Sequence, residues 1–381
     1  MAQHCDDPRN VYRAVGVRPG IHAGGTSTIF GGTKLRVEAL DAMAKASTVM
    51  VDLSELNAAA STILAKATGS EAALVTSGSA GGLVLQAAAC MAGNDPAKMA
   101  QLPNADGLKN QLIIQTCHRF PYDQLYTATG GKLVNVGDAR GAKPWQVQAA
   151  INEHTAALIY LVSPFTSRRA LPLDQMANIA HSNHIPLIVD AASMLPPRAN
   201  LSKYIAMGAD LVQYSGGKGI MGPQGTGILC GRADLIDAAT ANASPNQFIG
   251  RSMKVAKEEI LGLLKATEIF LGQDEEEENR KYRQMCQRVQ DALIEIPGTK
   301  IRIEHDNYDF LIPTTLIGFN ENWQGPSRDE VLRLMLEGET PIYMYQLGSL
   351  DEIGVDPTNL SEEELQTVIR KIRSVLLTSV N

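Results

Sequence analysis

The chain has 381 residues, 44% of them apolar and 20% charged, the balance of an ordinary soluble globular protein long enough for a large domain and a smaller one. A net charge of −7 gives no chain-wide positive field, so nucleic acid is not expected as the main partner. Five scattered cysteines (Cys5, Cys90, Cys117, Cys230, Cys286) form no CxxC pair, which argues against a disulfide framework or a metal site. The N-terminus lacks the apolar core of a secretory signal and no run approaches membrane-spanning length, so a cytoplasmic protein without a membrane partner is expected.

In chain order, Arg18 to Thr33 (RPGIHAGGTSTIFGGT) is glycine-rich, too irregular for a regular element and long enough for a functional loop. Short apolar runs then predict strands at Ala73–Thr76, Leu112–Gln115, Lys132–Val136, Ala157–Val162, Leu187–Ala191, Leu211–Tyr214 and Gly227–Leu229. Several are nearly continuous in Ile, Leu and Val, as strands covered on both faces tend to be. Helical stretches fall between them, for example Ala80–Met91 and Asp174–His184. The class is therefore α/β, with a mainly parallel sheet.

After Pro245 the texture changes. Residues 253–296 read as nearly unbroken helix, interrupted at Gly272 and by the acid run Asp274–Glu278, most simply a solvated face. Apolar runs follow at Lys300–Ile303 and Thr315–Phe319, and capping boxes are predicted at Ser327 with Glu330 and at Ser361 with Glu364. Leu365, Val368, Ile369, Ile372 and Leu376 share one face of the last helix. The predicted domains are 60–250, large, and 251–381 with part of 1–59, small.

Three elements carry chemistry. T-S-G-S-A-G-G at Thr76–Gly82 lies between a strand and a helix, where glycines let backbone approach a ligand and a helix N-terminus faces an anion; a tight capped turn is the plain alternative. Asp190 ends the apolar run P-L-I-V-D at the strand end where ligands sit in open α/β sheets, or else it is a structural acid. S-G-G-K at Ser215–Lys218 gives a lysine backbone room, and lysine loses its proton readily on partial burial; the alternative is a surface lysine in a turn. A nucleotide P-loop is excluded, because Gly219 stands where Ser or Thr is needed and Val212 where the first glycine is needed. Together, a phosphate cradle, a carboxylate and, 28 residues on, a lysine are what pyridoxal 5'-phosphate (PLP) requires.

The wording of T-S-G-S-A, V-D-A-A-S and D-L-V-Q-Y-S-G-G-K-G-I-M-G-P-Q-G resembles fold-type I PLP enzymes, and within them the selenocysteine-synthase-like group that includes D-glucosaminate-6-phosphate ammonia-lyase. The stretches Val51–Leu56 and Ile249–Leu264 extend the resemblance over roughly residues 10 to 370. It implies a PLP-dependent transferase-like fold, with a seven-stranded mostly parallel sheet and a smaller α+β domain. It implies Lys218 as the Schiff-base lysine and proton shuttle, and Asp190 as partner of the pyridine nitrogen. Ser77, Gly78, Ser79 and Ser215 would bind the phosphate, and Ser193 joins the cofactor-binding set. His118 would stack on the ring with Phe120 behind it, and Arg251 and Lys254 would reach a phosphate, across a dimer interface if not within the chain, since such enzymes assemble as homodimers or larger.

One departure stands out: where related sugar-acid lyases carry Ile-Tyr-x-Arg, this chain reads P-I-Y-M-Y-Q-L, so Tyr345 replaces the arginine, with Arg18, Arg168 and Arg169 as substitutes. The activity implied is a PLP-dependent lyase of the ammonia-lyase type, acting on a small amino acid or amino-sugar acid by Cα deprotonation and β-elimination. A racemase, epimerase or aldolase is the alternative, ahead of selenium transfer to a seryl-tRNA or a non-catalytic binding protein.

Overall fold

The computed structural model describes residues 7–163, 169–348 and 351–377. These form two compact units: Lys34–Gln273, and a second made of both chain ends, up to Thr33 and from Asp274.

The first unit is built on seven strands: β1 (Ala72–Ser77), β2 (Gln111–Gln115), β3 (Lys132–Val136), β4 (Thr155–Leu161), β5 (Leu187–Asp190), β6 (Leu211–Ser215) and β7 (Thr226–Gly231). Each predicted strand is present: Lys132–Val136 with the same bounds, Gly227–Leu229 extended to Thr226–Gly231, and the others longer or shorter by one or two residues. Their order is β1-β7-β6-β5-β4-β2-β3, and only β7 runs against its neighbours. The apolar runs follow from burial on both faces: Leu112, Ile113, Leu158, Leu187, Ile188, Leu211 and Val212 are all inaccessible to solvent. Four helices matter for the site. α1 (Val37–Ser47) packs on α4 (Lys257–Gly272), while α2 (Leu53–Thr68) and α3 (Gly78–Ala92) lie against the sheet. α3 is apolar nearly all round, as a fully covered helix must be.

The expected domain boundary near 250 and the compact division after Gln273 differ by α4. Its packing on α1 ties it to the first unit, a long-range contact that local sequence texture does not display. The long helix reading resolves into α4 and α5 (Glu275–Leu293), and the acid run is the start of α5 rather than only a solvated face. Asp274 caps it, accepting from Glu276 N (3.0 Å) and Glu277 N (3.2 Å), and four glutamates occupy its first turn, where negative charge meets the positive end of the helix dipole.

The second unit holds a four-stranded antiparallel sheet of β8 (Thr299–Glu304), β9 (Thr314–Phe319), β10 (Tyr345–Gln346) and β11 (Ile353–Val355), in the order β10-β11-β9-β8. The last helix, α6 (Glu362–Leu377), buries the predicted face, and its capping box is complete: Ser361 N donates to Glu364 Oε2 (2.8 Å) and Glu364 N to Ser361 Oγ (3.2 Å). The box at Ser327 is half made, with Glu330 N donating to Ser327 Oγ while the Glu330 carboxylate pairs with Arg333. The glycine-rich loop is held within its own unit. Ile21–His22 pairs with Ile342–Tyr343, and the Asn359 amide donates to Gly25 O (2.7 Å) and Gly32 O (3.0 Å). No helix among the described residues is long and apolar enough to cross a membrane.

Candidate active site

Strand direction gathers the singled-out residues. β1, β2, β5 and β6 all finish at one edge of the sheet, so Ser77, Gln115, Asp190 and Ser215 end at that edge. β5 and β6 are neighbours, which brings Asp190 and the loop carrying Lys218 together.

Lys218 sits in a loop whose glycines are required by space. A Cβ on Gly216 would overlap Thr226 Oγ1, one on Gly217 would overlap Gln224, and one on Gly219 would overlap the Leu195 carbonyl. Met221 N–H donates to the Lys218 carbonyl (2.8 Å), and Met221 adopts φ +57°, an uncommon backbone for a bulky side chain. Lys218 is half-buried, and its Nζ donates to Ser193 Oγ at 2.7 Å. Burial pushes its ammonium pKa down, opposed by the charge of Asp190. It is not the freely solvated lysine of the plain alternative.

Asp190 is 8% exposed. Its Oδ1 accepts from Ala192 N at 3.0 Å. Burial raises its pKa, while the Ala192 bond and Lys218 lower it. Gln86, on α3, donates to the Val189 carbonyl (3.1 Å) and fixes the strand end from below.

At the end of β1, Gly78 has φ +62° and open space where a Cβ would stand, the backbone form that favours glycine. Its N–H is committed to the Gly225 carbonyl (2.7 Å), which leaves the Ser79 and Ala80 N–H groups as first-turn donors without an intrahelical acceptor. Ser77 makes no capping bond with its side chain. Ser215 is nearly buried at the end of β6. Gly82 is bare for another reason: a Cβ there would overlap the Gln213 amide, which links Tyr214 O (2.7 Å) and Thr76 Oγ1 (3.2 Å) to the turn.

His118 is 1% exposed, ends a short 3-10 turn (Thr116–His118) and meets Tyr160 edge-on at 4.5 Å. Its Nδ1 accepts from Leu161 N–H (3.3 Å), so the neutral ring carries its proton on Nε2, and burial pushes its pKa down to about 4. Phe120 and His118 line one small cavity together with Asp190 and Tyr126. Arg251 and Lys254 are exposed, and Met253 between them packs beside Gly81, so their turn adjoins the N-terminus of α3 of the same chain.

The arginine substitutes fare differently. Arg18 is engaged with backbone, donating to Gly338 O (2.7 Å) and Leu336 O (3.3 Å). Arg169 is exposed, and Arg168 lies outside the described residues. Tyr345, in the second unit, sits beside His22 and Phe30. Gln213, Met221 and Tyr126 escaped the sequence reading, since each matters through a neighbour distant in sequence.

The SelA family profile, described as L-seryl-tRNA selenium transferase, matches residues 33–304. The chain is 33% identical over 374 residues to a 5'-C-glycyluridine monooxygenase-decarboxylase from a Streptomyces species, covering 96% of this chain and 92% of that one. It is 31% identical over 373 residues to the D-glucosaminate-6-phosphate ammonia lyase of Salmonella typhimurium, covering 96% and 98%. A solved structure of D-glucosaminate-6-phosphate ammonia-lyase superposes with a TM-score of 0.86 at 29% identity, covering 98% of this chain and all of that one. Profile, identity and fold agree over nearly the whole length, and the chain belongs to the SelA-like family of PLP-dependent proteins.

Proposed function

We propose that this chain is a PLP-dependent lyase of the ammonia-lyase type, acting on an amino acid or amino-sugar acid. The observation that carries the reading is the juxtaposition of Lys218 and buried Asp190 at neighbouring strand ends, in a chain 31% identical to an ammonia lyase. The residues fit the cofactor: a buried carboxylate with a cation beside it, a half-buried amine, and a glycine turn that opens a helix N-terminus.

When bound, the cofactor supplies a carbonyl that captures an amine and a ring that accepts electrons from the broken Cα–H bond. Lys218 would hold that carbonyl through Nζ and would move the proton at Cα. Ser193 Oγ, 2.7 Å from Nζ, orients the amine. Asp190 would hold a proton on the ring nitrogen. Ser77, Ser79, Ser215 and the first-turn N–H groups bind the phosphate, and Gly78 shapes the turn around it. His118 would stack on the ring, with Phe120 behind it. Loss of the β-hydroxyl as water, then addition of water at the former amine carbon, converts the substrate to a 2-keto acid and ammonia.

Residues 60–250 would make the cofactor-binding domain. Val37, Leu40, Met50, Val51 and Ile63 are exposed on or near α1 and α2, and such apolar exposure supports a homo-oligomer. Within it, Arg251 and Lys254 would reach a phosphate. Tyr345 in place of the arginine favours a substrate with less negative charge at its far end, and Tyr345→Arg should shift preference towards phosphorylated sugar acids.

The test is a panel of amino acids and amino-sugar acids, with and without phosphate, scored for ammonia and keto-acid release in deuterated water. Keto acid with ammonia supports the lyase. Exchange and inversion at Cα without keto acid would replace it with a racemase. The Streptomyces relative gives a second reading: oxygen uptake with CO2 release would make the chain a decarboxylating oxygenase.

A further inference from the structure

Asp190 borders a small cavity, lined also by His118, Tyr126 and Asp123 and by the apolar side chains Leu83, Ile114 and Ile159. It has roughly the room that one water molecule needs. Two buried polar atoms on residues that line it, Tyr126 Oη and His118 Nε2, make no hydrogen bond to the described residues. We propose that Tyr126 and His118 hold one bound water against the Asp190 carboxylate, which makes Tyr126 a positioning residue for that carboxylate.

Each partner's hydrogen-bonding role is settled by chemistry. His118 Nδ1 is occupied as an acceptor by the Leu161 N–H, so Nε2 donates. Tyr126 keeps its phenolic proton, because burial first and the charge of Asp190 second push its pKa well up. Asp123, the other carboxylate at the cavity, is committed to Arg119 Nε and to Phe120 N (3.3 Å). The acceptor the proposal assigns is Asp190, which takes one hydrogen bond from the described residues. A water with two donors behind it points its own hydrogens at the carboxylate, and it supplies the partner that the buried hydroxyl otherwise lacks. Among the described residues, the other charged group facing Asp190 is Lys218, from the loop after β6; apart from Asp190 itself, the strands and α3 present apolar side chains to the cavity.

The inference rests on the reading of Asp190 as the ring-nitrogen partner, but its test does not. Carboxylate ionisation is followed in the cofactor-free full chain by isotope-edited infrared titration, with Asp190→Asn identifying the band. Tyr126→Phe keeps the ring and removes the hydroxyl. It should raise the Asp190 midpoint by about one pH unit, the worth of one hydrogen bond to a charged acceptor, with the melting temperature little changed. An unchanged midpoint overturns the proposal. Should that variant fail to fold, a high-resolution crystal structure of the unmodified chain decides: a water within hydrogen-bonding distance of Tyr126 Oη, His118 Nε2 and Asp190 supports it, and an empty cavity or a different Tyr126 partner overturns it. Borohydride trapping at Lys218 reads the cofactor assignment separately.

Discussion

Asp190 and Asp210 are two nearly buried acids at opposite ends of adjacent strands in one sheet, 8% and 5% exposed. Asp210, just before β6, is saturated by the protein. It accepts from Leu187 N (2.7 Å), His181 Nε2 (3.0 Å) and Arg232 Nη1 (3.1 Å). Asp190, at the end of β5, accepts one hydrogen bond from the described residues, and burial raises its pKa. A buried carboxylate that the chain saturates holds the fold together, whereas one left short of donors is suited to a ligand that brings its own.

The largest effect expected is from Lys218→Ala. It should abolish covalent cofactor attachment and lower turnover at least about 10³-fold while the fold survives, since the lysine lies in a loop rather than the core. Wild-type turnover and visible absorbance in that variant would remove the central claim.

The two aspartates should then part company. Asp190→Ala should still bind cofactor but lose roughly 10²–10⁴-fold in turnover, with little change in melting temperature. Asp210→Ala should cost about 2–3 kcal/mol of stability, less than a fully buried pair because Arg232 and His181 are part-exposed, with cofactor affinity kept in the folded fraction. Chemical denaturation and cofactor titration of both variants check this. The reverse outcome, Asp190 structural and Asp210 functional, would break the contrast.

His118 adds a pH dependence at the site end. Its folded pKa, about 4, lies below the ordinary histidine value, so between those values the unfolded chain binds the extra proton. Stability is therefore present near neutral pH and is lost as pH falls from about 6.5 towards 4, by about 2 kcal/mol at pH 5. Denaturation midpoints of the wild type and His118→Asn, measured at pH 7 and pH 5, should differ in slope. Parallel curves would mean the imidazole is not held neutral by burial.

The smallest effect lies beneath the turn. Gly82→Ala sets a methyl against the Gln213 amide and should cost about 1–3 kcal/mol, loosening the Thr76–Gly78 turn and weakening phosphate binding. A neutral result on both counts would mean Gln213 yields freely.

The sequence by itself determined the sheet and the chemical outline. Parallel strands buried on both faces must be apolar throughout, so β2, β4, β5 and β6 stood out as runs, and turn chemistry exposed the glycines beside Ser77 and Lys218. Asp190 was visible because a charge ending an apolar run needs a reason. The tertiary structure alone decided what lies beside what. Tyr126 reaches the Asp190 cavity from 64 residues away, Gln213 dictates a glycine at position 82, and α4 joins the first unit through α1. Arg18, free to bind an anion as far as sequence could say, is engaged by carbonyls near position 337. Local spacing encodes periodicity and turns because both act within a few residues. Pairings across the sheet depend on strand order and packing, which chain spacing does not record.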